Sequence, residues 1–311
     1  MNIRKIMPDI NKHLDESMEP IQPDPMSHEG LIVPEIILKY GSLRGKIRDL
    51  PTMTPYMIKC IFEMKKSYRE MKSQPNPGKK TISDLELTNL TSYVKSLGMS
   101  EIGFVKVAPS DIFLGKLILF DSAIVIALEM KHDPISTAPS GEAGKEIYRT
   151  YMELGKAVNK ISGYLKELGF KAEAGPALGG ETNYPLLAEK AGIGAIGKHG
   201  MLITPLLGPS LRLAAVYTNI ENLPVPKENT HHWIKDFCNK CNKCVRRCPA
   251  GAIYEDTKVF DDGTEEHIDF KKCALPFSND HGCTVCIKEC LFFSQGYDKI
   301  KSTSENKFSI D

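Results

Sequence analysis

The sequence predicts a chain of mixed helices and strands that leads into a small, cysteine-held domain. Three observations carry this expectation. Segments with helical apolar spacing alternate with short β-branched runs such as "AIVIAL". Eight of the nine cysteines fall between Cys238 and Cys290. The 311 residues, 41% hydrophobic and 25% charged, suffice for one large domain and a smaller one.

In chain order, residues 1–50 are rich in proline and charge, as in "PDINKHLDESMEPIQPDPMSHEG", and read as an extended arm. A helical pattern covers residues 57–71, and "KSQPNPGKK" reads as a turn-rich linker. Residues 84–97 form an amphipathic helix, with Leu85, Leu87, Leu90, Tyr93, Val94 and Leu97 at helical intervals. Strands are expected at 102–107 and 123–128. A long helix covers 148–168 and stops at Gly169, where glycine suits the left-handed C-terminal position. A short helix at 186–191 and a strand at Leu211–Thr218 follow. The division is an arm and helix over 1–80, a cofactor and substrate domain over 81–228, and a cysteine-rich domain with a short tail over 229–311.

The net charge of +1 gives no bulk electrostatic case for a nucleic-acid or acidic-membrane partner. No stretch approaches the ~18 apolar residues of a membrane helix. The first residues carry neither an apolar core nor a twin arginine, so a cytoplasmic location is expected. Clustered cysteines in a reducing compartment hold metal more often than disulfides. Cys60, alone in an apolar helical pattern, reads as a buried small hydrophobe.

The stretch "CNKCNKCVRRCPAGAI" has the spacing C-x2-C-x2-C-x3-C-P. Three thiols two residues apart wrap one cluster corner by corner, and the cysteine before proline serves a second cluster. A second set supplies the rest: Cys273, Cys283, Cys286 and Cys290, in "CALPFSNDHGCTVCIKEC". The expected assignment is one [4Fe–4S] cluster on Cys238, Cys241, Cys244 and Cys290, and another on Cys248, Cys273, Cys283 and Cys286. Zinc is disfavoured because a tetrahedral ion is usually clamped by two separated C-x2-C pairs. Leucine, not proline, follows Cys290.

"GIGAIG", Gly192 to Gly197, fits the dinucleotide fingerprint literally, but a helix precedes it and a strand or loop follows it, the inverse of what a phosphate site needs. Its glycines, Gly192, Gly194 and Gly197, suit a backbone that turns tightly or approaches something bulky. A second glycine-rich stretch, "GPALGGETNYP", carries Gly179 and Gly180. Two such loops before a cluster domain suggest a flat cofactor held between them.

"YPLLAEKAGIGAIGKHGMLITPLLGPSLRLAAVYTNIENLP" followed by the cysteine run resembles the shared core of epoxyqueuosine reductases and corrinoid reductive dehalogenases, and the likeness covers residues 84–295. The resemblance implies an α+β, nitroreductase-like cobalamin-binding domain followed by a two-cluster domain like that of bacterial ferredoxins. It implies reduction of a small-molecule substrate, with electrons from a low-potential donor such as ferredoxin or flavodoxin. It also implies that Lys198, at the end of "GIGAIGK", and Tyr151, on the long helix, deliver or stabilise a proton, with Tyr148 as the competing phenol. Lys198 and His199 are expected to line the corrin pocket with the glycines above, while His231, His232 and His281 read as ordinary histidines. The segment "KAEAGPALGGETNYP" lacks the aspartate that epoxyqueuosine reductases carry there, and the sequence ends soon after Cys290. Both observations argue against a tRNA substrate. The rival expectation is a two-cluster electron-transfer or assembly protein without a catalytic corrinoid.

Overall fold

The computed structural model describes residues 10–14, 18–30, 33–260 and 264–308. Much of the expected arm, residues 1–9, 15–17 and 31–32, therefore lies outside the described residues.

Helix α1 covers Val33–Tyr40 and α2 covers Leu43–Glu70. Ser42 starts α2 by accepting the N–H of Gly45, and Pro51 and Pro55 lie within the helix. This corrects the extended reading of the first 50 residues. The helical signal there is masked by Pro51 and Pro55, and the apolar Leu43 and Ile47 lie on the exposed side, which blurs the amphipathic pattern. Helix α2 also belongs to the main unit, since it packs along a later helix, α5 (Gly141–Glu167). Asn159 on α5 donates to the Glu63 carbonyl at 2.9 Å, and Lys166 donates to the Glu70 carbonyl at 2.7 Å.

The next elements are α3 (Asp84–Ser96), β1 (Glu101–Lys106), β2 (Ser122–Glu129), α4 (His132–Ser136), α5 itself, β3 (Ala172–Ala174) and α6 (Tyr184–Lys190). Ser83 and Glu86 form a reciprocal capping box at the start of α3. A tight hairpin of β4 (Ala195–Ile196) and β5 (Leu202–Ile203) leads into β6 (Leu211–Thr218). The main sheet has the order β1-β2-β6-β3, with every neighbouring pair antiparallel. Strand β2 is buried at seven successive positions, so both faces of the sheet are covered. Helices α5 and α6 pack on it and close a core that includes Leu90, Ile124, Ile126, Leu154, Val158 and Val216.

The cysteine-rich part comprises α7 (Trp233–Cys241), α8 (Lys243–Arg247), the hairpin β7 (Ile253–Val259) and β8 (Glu265–Ile268), α9 (Phe270–Asn279), α10 (Val285–Lys288), α11 (Leu291–Gln295) and α12 (Tyr297–Phe308). Among the described residues no helix is long and apolar enough to cross a membrane.

Ile126 is fully buried in the central strand, whereas Leu85 is 71% exposed. Truncating a buried isoleucine removes transfer energy and leaves a cavity, at a cost of about 2–5 kcal/mol. Ile126→Ala should therefore lower the thermal unfolding midpoint by several degrees, and Leu85→Ala should leave it within about a degree.

Candidate functional site

Helix α7 carries Cys238 and Cys241 on its last turn and ends at Asn242, which adopts a left-handed conformation with φ 46°. That reversal starts α8 and brings Cys244 back beside the first two thiols. Cys248 follows α8 in extended backbone and accepts the N–H of Ala252 at 3.2 Å. In the second half, Cys273 sits on α9, Cys283 in the loop before α10, Cys286 on α10 and Cys290 just before α11. That loop is strained. His281, Cys283 and Thr284 have φ of 53°, 55° and 62°, and each non-glycine residue in this region costs roughly 1–2 kcal/mol. Such strain persists where surrounding contacts over-determine it.

The thiols fall into two neighbouring groups. Cys238 has Cys244 and Cys241 beside it, and Cys290 has Cys238 and Cys244. Cys273 has Cys283 and Cys248 beside it. Cys286 lies among Cys283, Cys273 and Cys248 and also faces Cys244, so the two groups adjoin. Burial pushes the Cys238 and Cys290 thiols up to about 12 and Cys244 and Cys273 up to about 11. Thiolates in such surroundings need a cationic partner, which an iron centre supplies. A small cavity of about 20 Å³ opens between Cys238, Cys241, Cys244 and Cys290, walled by Lys198, His199, Phe237 and Phe292. Trp233, Phe237 and Phe292 pack edge-on or tilted behind it and shield it from water.

A second, larger cavity of about 210 Å³ lies against the start of β6 and the middle of α5. Its polar centre is a pair. Arg212 Nη1 donates to the Tyr151 hydroxyl at 3.0 Å, with the guanidinium 4.3 Å from the ring centroid. Arg212 Nε is buried without a partner among the described residues. A buried donor left bare calls for an acceptor from whatever fills the cavity. Gly179, Gly180 and Thr182 form another wall, and Met201 and Leu202 close the side toward the thiols. The lining is mostly apolar, which suits a flat organic group with a few acceptor substituents.

The structure separates residues that the sequence placed together. Tyr151, Gly179 and Gly180 line the large cavity, but Lys198 and His199 line the thiol cavity instead. The Lys198 amine donates to the Glu255 carbonyl at 2.7 Å, and its backbone N–H points to Cys238. His199 is 4% exposed, and burial, with His267 adding to it, holds its ring down at about 4. Gly192, Gly194 and Gly197 line neither cavity. Gly194 is needed because a side chain there would meet the Ile203 carbonyl across the hairpin, whereas at Gly197 it would meet the movable end of the Ile203 side chain. Gly192 follows the end of α6 with φ 71°. Tyr148 is buried away from the large cavity. His231 bonds the Tyr297 hydroxyl at 2.7 Å, His232 is exposed, and His281 pairs with Asp49 at 2.7 Å. Cys60 is buried beside Met152 and Leu178, as its apolar surroundings in the sequence suggest.

Sequence reasoning missed two features. Arg212 carried a signal, being the only charge in the strand "LRLAAVYT". The acid pair beneath the glycine loop carried none, because burial of a glutamate is a tertiary fact. Glu181 accepts from the Tyr68 hydroxyl at 2.7 Å, and its other oxygen is bare. Burial pushes its carboxyl up to about 7, with Lys116 pulling back. Glu173, beside it, is also raised well above the carboxylate range by burial, then by Glu181.

A family model described as a 4Fe-4S binding domain matches residues 231–254. The chain is 31% identical over 183 residues to a tetrachloroethene reductive dehalogenase of Desulfitobacterium hafniense, a match covering 54% of this chain and 32% of that protein. It is 31% identical over 126 residues to an epoxyqueuosine reductase of Listeria monocytogenes, covering 38% of this chain and 31% of that one. The chain thus spans about a third of the length of the curated relatives it matches. The solved structure of a catabolic reductive dehalogenase superposes with a TM-score of 0.62 at 17% identity, over 93% of this chain and 46% of the other. A reductive dehalogenase structure described in terms of B12-dependent dehalogenation gives a TM-score of 0.58 at 20% identity, over 70% of this chain and 33% of the other. These two solved structures share the fold. The chain is a divergent relative of the reductive dehalogenases and epoxyqueuosine reductases, and its homologues are reductases.

The Glu181 environment predicts a pH effect with a definite sign. Its folded value of about 7 lies above the ordinary glutamate value of about 4.3. Stability is fully present below the lower value and is lost as pH rises toward the higher one, because only the unfolded chain ionises in that window. Glu181→Gln keeps an acceptor for Tyr68 and removes the charge. Relative to the native chain it should gain stability at pH 8, on the order of 3 kcal/mol at most, but not at pH 4. Thermal midpoints at the two pH values measure this. An equal difference at both would mean that Glu181 is ionised in the folded protein.

Proposed function

We propose that this relative of reductive dehalogenases and epoxyqueuosine reductases is the core of an iron–sulfur reductase. Two [4Fe–4S] clusters relay electrons toward a corrinoid, and a small organic molecule is reduced in the cavity lined by Tyr151 and Arg212. The observation that carries this reading is a shared wall. One hairpin, β4–β5, presents Lys198 and His199 to the thiol cavity and Met201 and Leu202 to the large cavity. Cys238, Cys241, Cys244 and Cys290 would hold one cluster, and Cys248, Cys273, Cys283 and Cys286 the other. The grouping of the thiols supports that division. The apolar lining, the bare Arg212 Nε and the small-residue wall are the features that support a corrinoid edge at this cavity. When bound, the clusters supply electrons one at a time and the corrinoid supplies a strongly reducing metal centre.

The chain's own residues have separate tasks in this reading. Arg212 donates to the oxygen of Tyr151, which leaves the phenol's hydrogen free to point into the cavity. Tyr151 is then placed to give its proton to a developing anion, while the fixed guanidinium charge stabilises that anion. Met201, Leu202 and the glycine loop exclude water. Lys198 has no place in that step, because its amine is engaged at Glu255. The electron source would be a low-potential one-electron carrier. The relatives' name makes tetrachloroethene the first substrate to test, and a queuosine-precursor tRNA the second.

Anaerobic reconstitution should give about eight irons per chain, as two four-iron clusters require, and corrinoid should co-purify, visible by absorbance. Full iron without any retained corrinoid would leave the electron-transfer reading in place of the enzyme. Tyr151→Phe and Arg212→Met should keep iron and slow substrate reduction about 10²-fold or more, the usual weight of an acid group or an anion-stabilising donor. Lys198→Met should keep its corrinoid.

A further inference from the structure

We infer that His199 donates a hydrogen bond from Nε2 to a sulfur of the cluster held by Cys238, Cys241, Cys244 and Cys290, and thereby sets that cluster's reduction potential apart from its neighbour's. The inference rests on the reading of those four thiols as cluster ligands.

The geometry assigns the tautomer. His199 Nδ1 accepts the backbone N–H of Met201 at 3.1 Å, two residues along the same hairpin. A neutral ring with Nδ1 accepting carries its hydrogen on Nε2. That Nε2 is buried and has no partner among the described residues, in a side chain that is 4% exposed. A buried donor left bare costs about 1–3 kcal/mol, so its acceptor belongs to whatever occupies the space the ring faces. The ring lines the cavity between the four thiols. Other polar groups there are accounted for differently. The Lys198 amine is held by Glu255, and its backbone N–H already points to Cys238. Asn242 Oδ1 is the other bare atom on this wall, but it is an acceptor and satisfies no sulfur. The second group of thiols receives backbone donors, Ala252 N–H to Cys248 and Val285 N–H to Cys283. A side-chain donor thus distinguishes the first cluster from the second.

Reduction adds negative charge to a cluster, and a donor aimed at its sulfur favours the more negative state. Removing the donor should make reduction about tenfold less favourable, which is about 59 mV for a one-electron couple. The experiment is an anaerobic potentiometric titration followed by electron paramagnetic resonance, on the full chain with iron measured in parallel. His199→Phe should move one of the two reduction steps to more negative potential and leave the other in place. His199→Gln, which retains an N–H, should recover part of the shift. Wild-type protein carrying histidine labelled with 15N in the ring should show nitrogen coupling to a reduced cluster in pulsed measurements. This last measurement decides the matter if the phenylalanine variant fails to hold iron. Two unmoved potentials in His199→Phe, or absence of histidine coupling in the wild type, would overturn the inference. A bridging water between His199 and Asn242 would produce those same negative results. Wild-type iron near four per chain would instead overturn the two-cluster reading, so the two failures are distinguishable.

Discussion

The structure depends on a wall one hairpin thick. Strands β4 and β5 pair over only two positions each, yet one side faces four thiols and the other faces the large cavity. The neighbouring contacts hold that wall rigid. The Ile196 N–H donates to Glu189 at 2.9 Å, and Asn229 bridges the carbonyls of Glu189 and Gly194 at 2.8 Å each. Gly197 closes the turn onto Met201 at 2.9 Å. Glycine at 194 lets β4 lie directly against the Ile203 carbonyl of β5. On the proposed reading this partition would leave electrons a short path, and the close approach of the two strands is itself a reason for glycine here.

A second constraint fixes the far side of the thiol groups. Helix α1 packs on α9, with Tyr40 edge-on to Phe270, and the Ser42 N–H donates to Asn279 at 2.7 Å. Asp49, in the second turn of α2, meets His281 in the strained loop between Cys273 and Cys283. The same helix then runs along α5, which carries Tyr151. The N-terminal helices therefore tie the second group of thiols to the helix that supplies the phenol. Val33, at the start of α1, reaches the large cavity itself. This segment is a structural part of the site and not an appendage to it.

Legibility followed the physics of each signal. Local patterns were readable: α3, β1, β2, β6 and the stop of the long helix near Gly169 fall within a few residues of their expected places. Helix α5 begins seven residues earlier than its apolar pattern, at Gly141, because Ser140 caps it through the N–H of Ala143. Helix α2 was legible only in its second half, since Pro51 and Pro55 argue against a helix in which they nonetheless lie. The chain's relationship to two reductase groups was also legible, from "GIGAIGK" and the cysteine spacing together. What sequence could not show is which wall a residue faces. Lys198 and His199 lie in the turn between β4 and β5, where the alternation that sorts strand side chains between two faces does not operate, so nothing in the sequence pattern says which cavity they meet.

Burial also sets the charge of the large cavity. Arg212 is a fixed cation, and the carboxyls nearest the glycine loop, Glu181 and Glu173, are held toward their neutral forms by desolvation. The phenols of Tyr184 and Tyr217, above and beside them, are likewise pushed up by burial and stay neutral. Below about pH 7 the Glu181 carboxyl therefore adds less opposing charge behind the loop than an ordinary, ionised acid would. An acidic residue exposed at that wall would cancel the field, whereas an acid buried and protonated beneath it does not. The arrangement favours an anion or a developing anion beside Tyr151, and it does so without a second cation. The single charge in an otherwise apolar strand meets the least opposition at low pH, where burial holds Glu181 and Glu173 protonated.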